Sequence, residues 1–241
     1  MLALASLLLA FRCSADDQLK KKDGSIIHGT ILSVSDGQVL VNSVTPNGGT
    51  VQLPYYLSDI QSVTMATPDA VTQLKDAKPA TVIATLTPLL KQYNGLPADW
   101  VIDAMVQLAE AYVASNQPDR ATALYQQINQ LYPNTPYQIE AVAGLAQMKL
   151  SQGRTDEALA DVKPLVDKAN QELAPSSQEG GLYARAFLVY GEALEAQKKN
   201  NEALEAYLTV KTIFYQNSAL EEQAEQHAKT LREQNPGLGV D

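Results

Sequence analysis

The sequence is poor in the side chains that carry most enzyme chemistry. Its 241 residues contain one cysteine, Cys13, and two histidines, His28 and His227. A single thiol excludes a disulfide framework within the chain, and we expect no joint metal or catalytic role for two histidines so far apart. The sequence also lacks a Gly-x-Ser-x-Gly elbow, a phosphate-binding loop and a His-Glu-x-x-His motif. We therefore predict a protein that is not an enzyme and that uses no cofactor or metal.

Basic residues are also scarce. Lys and Arg number 18 and Asp and Glu number 27, so the formal net charge is −9. Because a nucleic-acid backbone is bound by clustered Lys and Arg, we predict no nucleic-acid partner. The run Lys20-Lys21-Lys22 is interpreted as the guard of an edge strand rather than as a basic patch. Apolar residues at 45% and charged residues at 19% are typical of a globular protein.

Residues 1–15 have the pattern of a secretory signal. The largely apolar run from Leu2 to Phe11 is too short for a bilayer, which needs ~20 residues. Small residues precede an expected cut before Asp16, so we predict a mature chain without an integral membrane segment. Cys13 also suggests lipidation, although Arg12 stands where a lipobox has a small residue; a buried N-terminal helix is a further alternative. We expect an exported protein, periplasmic or secreted, or associated with the cell envelope.

Residues 16–66 have the alternation and the turns of β structure. Five short β-branched segments predict a small closed or nearly closed barrel. Gly29 in mid-strand predicts a bend, and Pro54 should end the fourth strand or leave it at an edge of the sheet. The turn sequences that separate the segments are Asp23-Gly24, Asp36-Gly37 and Asn47-Gly48-Gly49.

Some of these motifs resemble the small SH3-like or Sm-like barrels of bacterial envelope proteins. The resemblance implies the fold but not RNA binding, because Asp36 lacks the Asn that accompanies it in Sm-like proteins. Tyr55 and Tyr56 are expected in a connection, where they form a candidate second binding patch or pack on the barrel. The motifs that carry the resemblance are Leu19-x3-Asp23-Gly24-Ser-x-Ile-x-Gly29, the later Asp36-Gly37, and Leu53-Pro54 before Leu57-Ser-Asp-Ile60-x-x-Val63.

The rest of the chain has helical periodicity. Residues 67–80 are rich in Pro, Ala, Thr and Asp and are interpreted as a linker; residues 236–241 are a tail. Between them, over 81–235, three polar breaks are each followed by a small residue: Ala121, Ala158 and Ala203. Twelve residues upstream stand Ala109, Ala146 and Gly191, and four residues downstream stand Tyr125, Val162 and Tyr207. Such small and large pairs let two helices approach closely.

This register resembles the tetratricopeptide repeat (TPR), a helix-turn-helix unit of about 34 residues. The copies begin near residues 102, 139 and 184, and the polar helix from 219 to 234 resembles the cap that ends such stacks. The fold class is therefore predicted as α+β multidomain, with a five-stranded N-terminal β barrel followed by an all-α TPR solenoid.

The TPR resemblance implies that the first helix of each unit lines a groove that binds a protein or peptide. The groove would be apolar along its floor and acidic along its walls, with one Arg, so we expect a partner segment that is apolar with basic residues. The candidate groove residues are Asp103, Val106, Glu110, Glu140, Gln147, Leu150, Arg185, Leu188, Glu192 and Glu195.

These features together predict a non-catalytic exported scaffold or adaptor. One alternative is a TPR component of outer-membrane assembly or envelope maintenance. An alternative from a different class is a hydrolase with an unrecognised site. The partner's identity and the oligomeric state have no signature in the sequence.

Overall fold

The computed structural model describes residues 17–45, 47–133, 135–171 and 177–239. The expected signal, residues 1–15, lies outside these ranges. The chain divides into two compact units. One contains residues up to 76 together with 88–101, and the other contains 77–87 and everything from 102 onward.

The first unit is built on a five-stranded antiparallel sheet in the order β4-β3-β2-β1-β5. All five predicted strands are present, but the sheet is open, because within the described residues β4 and β5 are not paired with each other. The strands are β1 (Asp17–Lys21), β2 (Ile26–Ser35), β3 (Gln38–Val44), β4 (Thr50–Tyr56) and β5 (Ile60–Thr64).

The sheet has two halves: one contains β5, β1 and the start of β2, and the other contains the rest of β2, β3 and β4. Strand β2 belongs to both halves and changes partner at Gly29. Gly29 pairs with Asp17 of β1, and the next residue, Thr30, pairs with Asn42 of β3. A Cβ on Gly29 would lie 2.6 Å from the backbone oxygen of Asn42, so a side chain does not fit there. Gly29, at which a bend was predicted, is therefore the residue where the two halves of the sheet meet.

The interpretation of the lysine run as an edge strand was wrong. Strand β1, which contains Lys20, pairs with β2 on one side and with β5 on the other. The side chain of Lys20 is exposed while its neighbour Leu19 is fully buried. The lysines are therefore solvated because they point away from the core, and not because their strand lies at an edge.

The buried core of the sheet comes from apolar residues of β1, β2, β3 and β5, whereas β4 has no buried residue. The β5 edge is covered by residues 97 and 98, where the Val63 N–H donates to the Pro97 carbonyl at 3.0 Å. The neighbouring Trp100 packs edge-on against Tyr93 with ring centroids 5.3 Å apart. The buried apolar residues of the strands are Leu19, Ile31, Val39, Val41, Ile60 and Val63.

The remaining chain is helical, and the three predicted repeats are present as the pairs α3–α4, α5–α6 and α7–α8. Among the helices that the structure describes, none has the length and hydropathy needed to cross a bilayer. The helices are α1 (Asp69–Thr72), α2 (Pro79–Gln92), α3 (Asp99–Ala114), α4 (Pro118–Leu131), α5 (Tyr137–Ser151), α6 (Thr155–Gln171), α7 (Ser177–Ala196), α8 (Asn200–Thr212) and α9 (Ser218–Gln234).

Tyrosines pack directly on glycines at two places among these helices, once within a repeat and once between successive repeats. A Cβ on Gly191 of α7 would lie 2.5 Å from the ring of Tyr207 in α8, as the predicted pairing of small and large residues requires. A Cβ on Gly144 of α5 would lie 2.5 Å from the ring of Tyr125 in α4, a contact between successive repeats that the register did not predict. Both tyrosines are buried, with 1% or less exposed, so their predicted packing role is confirmed.

Candidate functional site

A cleft runs along the first helices of the three repeats, α3, α5 and α7, and is closed on one side by the start of α9. It consists of two adjoining hollows of about 480 Å³ and 520 Å³, which share Glu110, Arg185 and Asn217. We call these two hollows together the cleft. Six of the predicted groove residues line it: Asp103, Val106, Glu110, Glu140, Gln147 and Arg185.

Arg185 of α7 stands at the centre of the cleft and joins three helices. Its guanidinium forms ion pairs with Glu110 of α3 and Glu140 of α5, and its Nη1 lies 3.5 Å from the Gln147 Oε1. The Arg185 side chain is 12% exposed and that of Glu140 is 6% exposed, whereas that of Glu110 is 46% exposed. Arg185 therefore lines both hollows and links the three helices that form their walls.

Burial decides the electrostatics of this cluster. Desolvation raises the pKa of the Glu140 carboxyl, and the positive charge of Arg185 opposes that rise without cancelling it. Desolvation also acts to lower the pKa of Arg185, but Glu140 and Glu110 outweigh it, so its pKa is raised and the guanidinium stays charged. Arg185 offsets the charge of one carboxylate, and the exposed rim that carries Asp103 and Glu110 remains acidic.

Four of the predicted groove residues do not line the cleft, and Leu188 and Leu150 are two of them. Leu188 is 1% exposed and packs in the core shared by α7, α8 and α9. Leu150 is partly buried against the small apolar cluster around Ala146 and Val162. The prediction assumed that the third repeat begins near residue 184 and took its inward positions from the TPR pattern. Helix α7 in fact begins at Ser177. At Leu188 the surface of this helix is covered by neighbouring helices.

The prediction that Glu140 forms an open acidic wall also needs correction. Its side chain is 6% exposed and paired with Arg185, so its charge is already used inside the protein. Glu110 is also paired with Arg185, but its side chain is 46% exposed, so a partner can still reach it at the rim of the cleft.

Glu192 and Glu195 belong to a separate cluster with Tyr207 and His227. The Tyr207 hydroxyl donates to the Glu195 Oε2 at 2.7 Å. The His227 ring stacks on Tyr207 with centroids 5.0 Å apart, and its Nε2 and Nδ1 lie 3.5 Å from the Glu192 Oε1 and 3.6 Å from the Glu195 Oε2. In the described ranges, no three His, Cys, Asp or Glu side chains are placed to hold a metal ion. The cluster fastens α9 to α7 and α8.

This cluster also shifts the ionisation of its members. Desolvation raises the pKa of Glu192, and the nearby His227 acts in the opposite direction. Desolvation and the hydrogen bond to Glu195 raise the pKa of Tyr207. The phenol of Tyr207 therefore stays protonated in the folded protein well into the alkaline range.

Sequence reasoning missed the wall of the cleft that faces α3. Gln216, Asn217 and Ser218 form this wall at the connection between α8 and α9. The Asn217 Oδ1 accepts a hydrogen bond from the Leu220 N–H at 3.2 Å and caps α9. The cap is a local signal that a sequence can show, but the position of the connection opposite α3 depends on how all the intervening helices stack.

The second candidate patch, Tyr55 and Tyr56, lies on a strand and not in a connection. Both residues belong to β4, which continues through Pro54 as the edge strand of the sheet. Tyr55 is half-buried and Tyr56 is 62% exposed. This patch belongs to the first unit, whereas the cleft belongs to the second.

Residues 103–135 match the family model for the tetratricopeptide repeat. The matched segment contains most of α3 and all of α4, so the predicted repeat is confirmed, and this helical pair is a tetratricopeptide repeat. A search of curated proteins finds no match to the chain.

Solved structures of MamA are similar to part of the chain. MamA 41-end from Desulfovibrio magneticus RS-1 is 15% identical, with 70% of this chain and 96% of that chain covered and a TM-score of 0.42. MamA AMB-1 is 16% identical, with 68% and 93% covered and a TM-score of 0.40. Similarity at this level carries no conclusion about function.

Proposed function

We propose that the protein is a non-catalytic scaffold that holds a segment of a partner protein in the cleft. The observation that carries the proposal is the cleft itself, which is open, lies along the first helices of the repeats and has polar and apolar walls. Tetratricopeptide repeats present such surfaces to peptides, and the repeat is present at residues 103–135.

The lining of the cleft favours a partner that is apolar and basic. Val106 and Val113 of α3 face the two hollows, and Val113 is 40% exposed. Asp103 and Glu110, on the same helix, are exposed at the rim. Apolar side chains of the partner would contact the valines, while its Lys or Arg side chains would lie against the rim carboxylates. Because the rim is exposed, its charges act mainly on association rate and specificity.

Two sets of variants, in which carboxylates are replaced by the corresponding uncharged amides, test the proposal. In the first, Asp103→Asn and Glu110→Gln remove both rim charges and leave the buried Glu140 in place. In the matched control, Glu202→Gln and Glu205→Gln remove two exposed charges of α8. Binding is measured by fluorescence anisotropy on apolar peptides that carry Lys, against the same peptides with Glu in place of Lys.

We expect the wild type and the α8 control to prefer the Lys peptides, with the rim variant losing that preference about tenfold, or roughly 1.4 kcal/mol. The preference should also weaken as salt is raised. Equal binding of Lys and Glu peptides by the wild type, or equal loss in the two variants, would contradict the proposal.

We also propose that the protein is exported and acts in the periplasm or at the cell envelope. The apolar run in residues 1–15 and the small residues before Asp16 support this. Mass spectrometry of protein recovered from the envelope fraction should find an N-terminus near Asp16. Recovery of chains that retain Met1 from the cytoplasm would contradict export.

A further inference from the structure

The outer edge of β4 has main-chain groups that pair with nothing in the described part of the chain. Two hydrogen bonds fix the alternation along this strand: the Leu57 N–H donates to the Gly37 carbonyl at 2.8 Å, and the Thr45 N–H donates to the Gly49 carbonyl at 2.7 Å. Odd-numbered residues of β4 therefore direct their main-chain groups at β3. Even-numbered residues, among them Thr50 and Gln52, direct theirs away from the sheet.

Pro54 lies at one of the outward positions. It is aligned with Leu40 of β3, and because its missing N–H would point away from β3, the sheet loses no hydrogen bond there. The Pro54 carbonyl remains available at the edge as an acceptor. The proline thus removes one donor from the edge but leaves the rest of the strand able to pair.

The β4 edge lacks the charges that usually protect an open edge. Residues 37–58, which include β3 and β4, contain no Asp, Glu, Lys or Arg. Apolar side chains are exposed along the strand: Val51 and Leu53 are each 39% exposed, and Tyr56 is 62% exposed. The opposite edge, at β5, is by contrast covered by the hydrogen bond from Val63 to Pro97.

We propose that β4 is the interface at which two copies of this chain pair, antiparallel and edge to edge. A two-fold interface brings each surface against an identical surface, so a charge that lies near the axis faces its own copy. Among the surfaces of a chain with a net charge of −9, the uncharged β3–β4 hairpin avoids this repulsion. The second copy is therefore the occupant that fits the neutral edge.

The pairing follows from the length of the strand. When two β4 strands of 7 residues overlap fully, the two-fold axis passes beside Leu53. Thr50 then faces Tyr56 of the other copy, and Gln52 faces Pro54, whose carbonyl accepts the Gln52 N–H. The two Leu53 side chains meet at the axis, where their exposed surface becomes covered.

The test is the oligomeric state of the full chain by sedimentation equilibrium up to a concentration on the order of 100 µM. We expect the wild type to dimerise and Leu53→Lys to be monomeric, because the variant puts two like charges opposite each other at the axis. The control is Ile213→Lys, which places the same charge at a 55% exposed position just after α8 and should leave the dimer intact. A monomeric wild type, or a dimer that survives Leu53→Lys, overturns the proposal.

Amide exchange on the wild type gives a second readout that needs no variant. The amides of Thr50, Gln52 and Tyr56 should become protected as the protein concentration rises through the dimerisation range. Those of Val51, Leu53 and Tyr55, which face β3, should be protected at every concentration and serve as internal controls. If the protein dimerises but the outward amides still exchange freely, the interface lies elsewhere and the proposal is overturned.

Discussion

The carboxylate of Glu140 and the guanidinium of Arg185 form an ion pair that is buried on both sides, with 6% and 12% of the two side chains exposed. Since Arg185 also pairs with Glu110, a single side chain joins α3, α5 and α7 at the centre of the cleft. A charge pair this far from solvent has a large effect when one partner is removed, because the other is left buried without compensation.

Replacing Arg185 by Met should destabilise the second unit by about 3–5 kcal/mol, because the substitution leaves Glu140 buried and unpaired. Adding Glu140→Gln should restore most of this loss. Urea unfolding followed by circular dichroism measures both. Arg154→Met is the control: Arg154 pairs with Glu157, but the two side chains are 47% and 53% exposed, so we expect stability close to that of the wild type.

The pH dependence of the Arg185→Met variant gives a further check. The pKa of Glu140 is already raised by burial and rises further without Arg185. A group with a raised folded pKa favours the folded state below its unfolded pKa, near 4.5, and this contribution is lost as the pH rises through the folded pKa. The stability deficit of the variant should therefore be small near pH 4.5 and largest at neutral pH. A deficit that does not vary with pH would assign it to packing instead.

Gly144→Ala and Gly191→Ala should each destabilise the protein by roughly 1–3 kcal/mol through overpacking. In each case the new Cβ would lie 2.5 Å from a buried tyrosine ring. Gly181→Ala, in the same helix as Gly191, is the control because no atom outside its chain neighbours and its own helix backbone lies within 4 Å of its Cβ position. This control should be neutral or stabilising, since Ala is the better helix former. Thermal unfolding midpoints that rank the three variants differently would contradict the packing.

Ala158→Leu tests the central repeat in the same way. Ala158 of α6 is fully buried, so the larger side chain should cost about 1–3 kcal/mol. Two residues along the same helix, Ala160 is exposed, and Ala160→Leu should leave the unfolding midpoint nearly unchanged. Equal midpoints for the two variants would show that the helix packs through another face.

The protein should lose stability in alkali. Burial raises the pKa values of Tyr125 and Tyr207 above the ordinary value near 10. Their contribution to stability is therefore complete below pH 10 and is lost as the pH rises through the folded pKa values. Replacing both by Phe should reduce the alkaline loss, measured by urea unfolding between about pH 8 and pH 12. Tyr56→Phe, on a 62% exposed side chain, should leave the wild-type profile unchanged.

The features that sequence reasoning found are those set by local spacing. Gly29 and Pro54 could be located because each residue type fits few backbone positions, and the structure puts one where β2 changes partner and the other on an outward-facing edge position. The contact between Gly191 and Tyr207 followed from a repeat register in which a small residue must face a large one. The matched segment 103–135 confirms the first of these repeats.

The composition of the cleft could be predicted only in part, because it depends on how helices stack. The TPR resemblance placed Glu140 and Leu188 on the inward faces of their helices. Stacking then buried Glu140 beside Arg185 and buried Leu188 under α8 and α9. Whether an inward side chain reaches the cleft or the core depends on the neighbouring repeat. The period of a single helix does not contain that information.

The wall formed by Gln216, Asn217 and Ser218 determines when the cleft becomes complete during synthesis of the chain. A growing chain that has folded only as far as α7 already carries Asp103, Glu110, Glu140 and Arg185. It still lacks the side of the cleft that faces α3, because that side is supplied by the start of α9. The cleft is therefore complete only after the start of α9 has been made and packed, although the helices that carry its charged residues are made earlier.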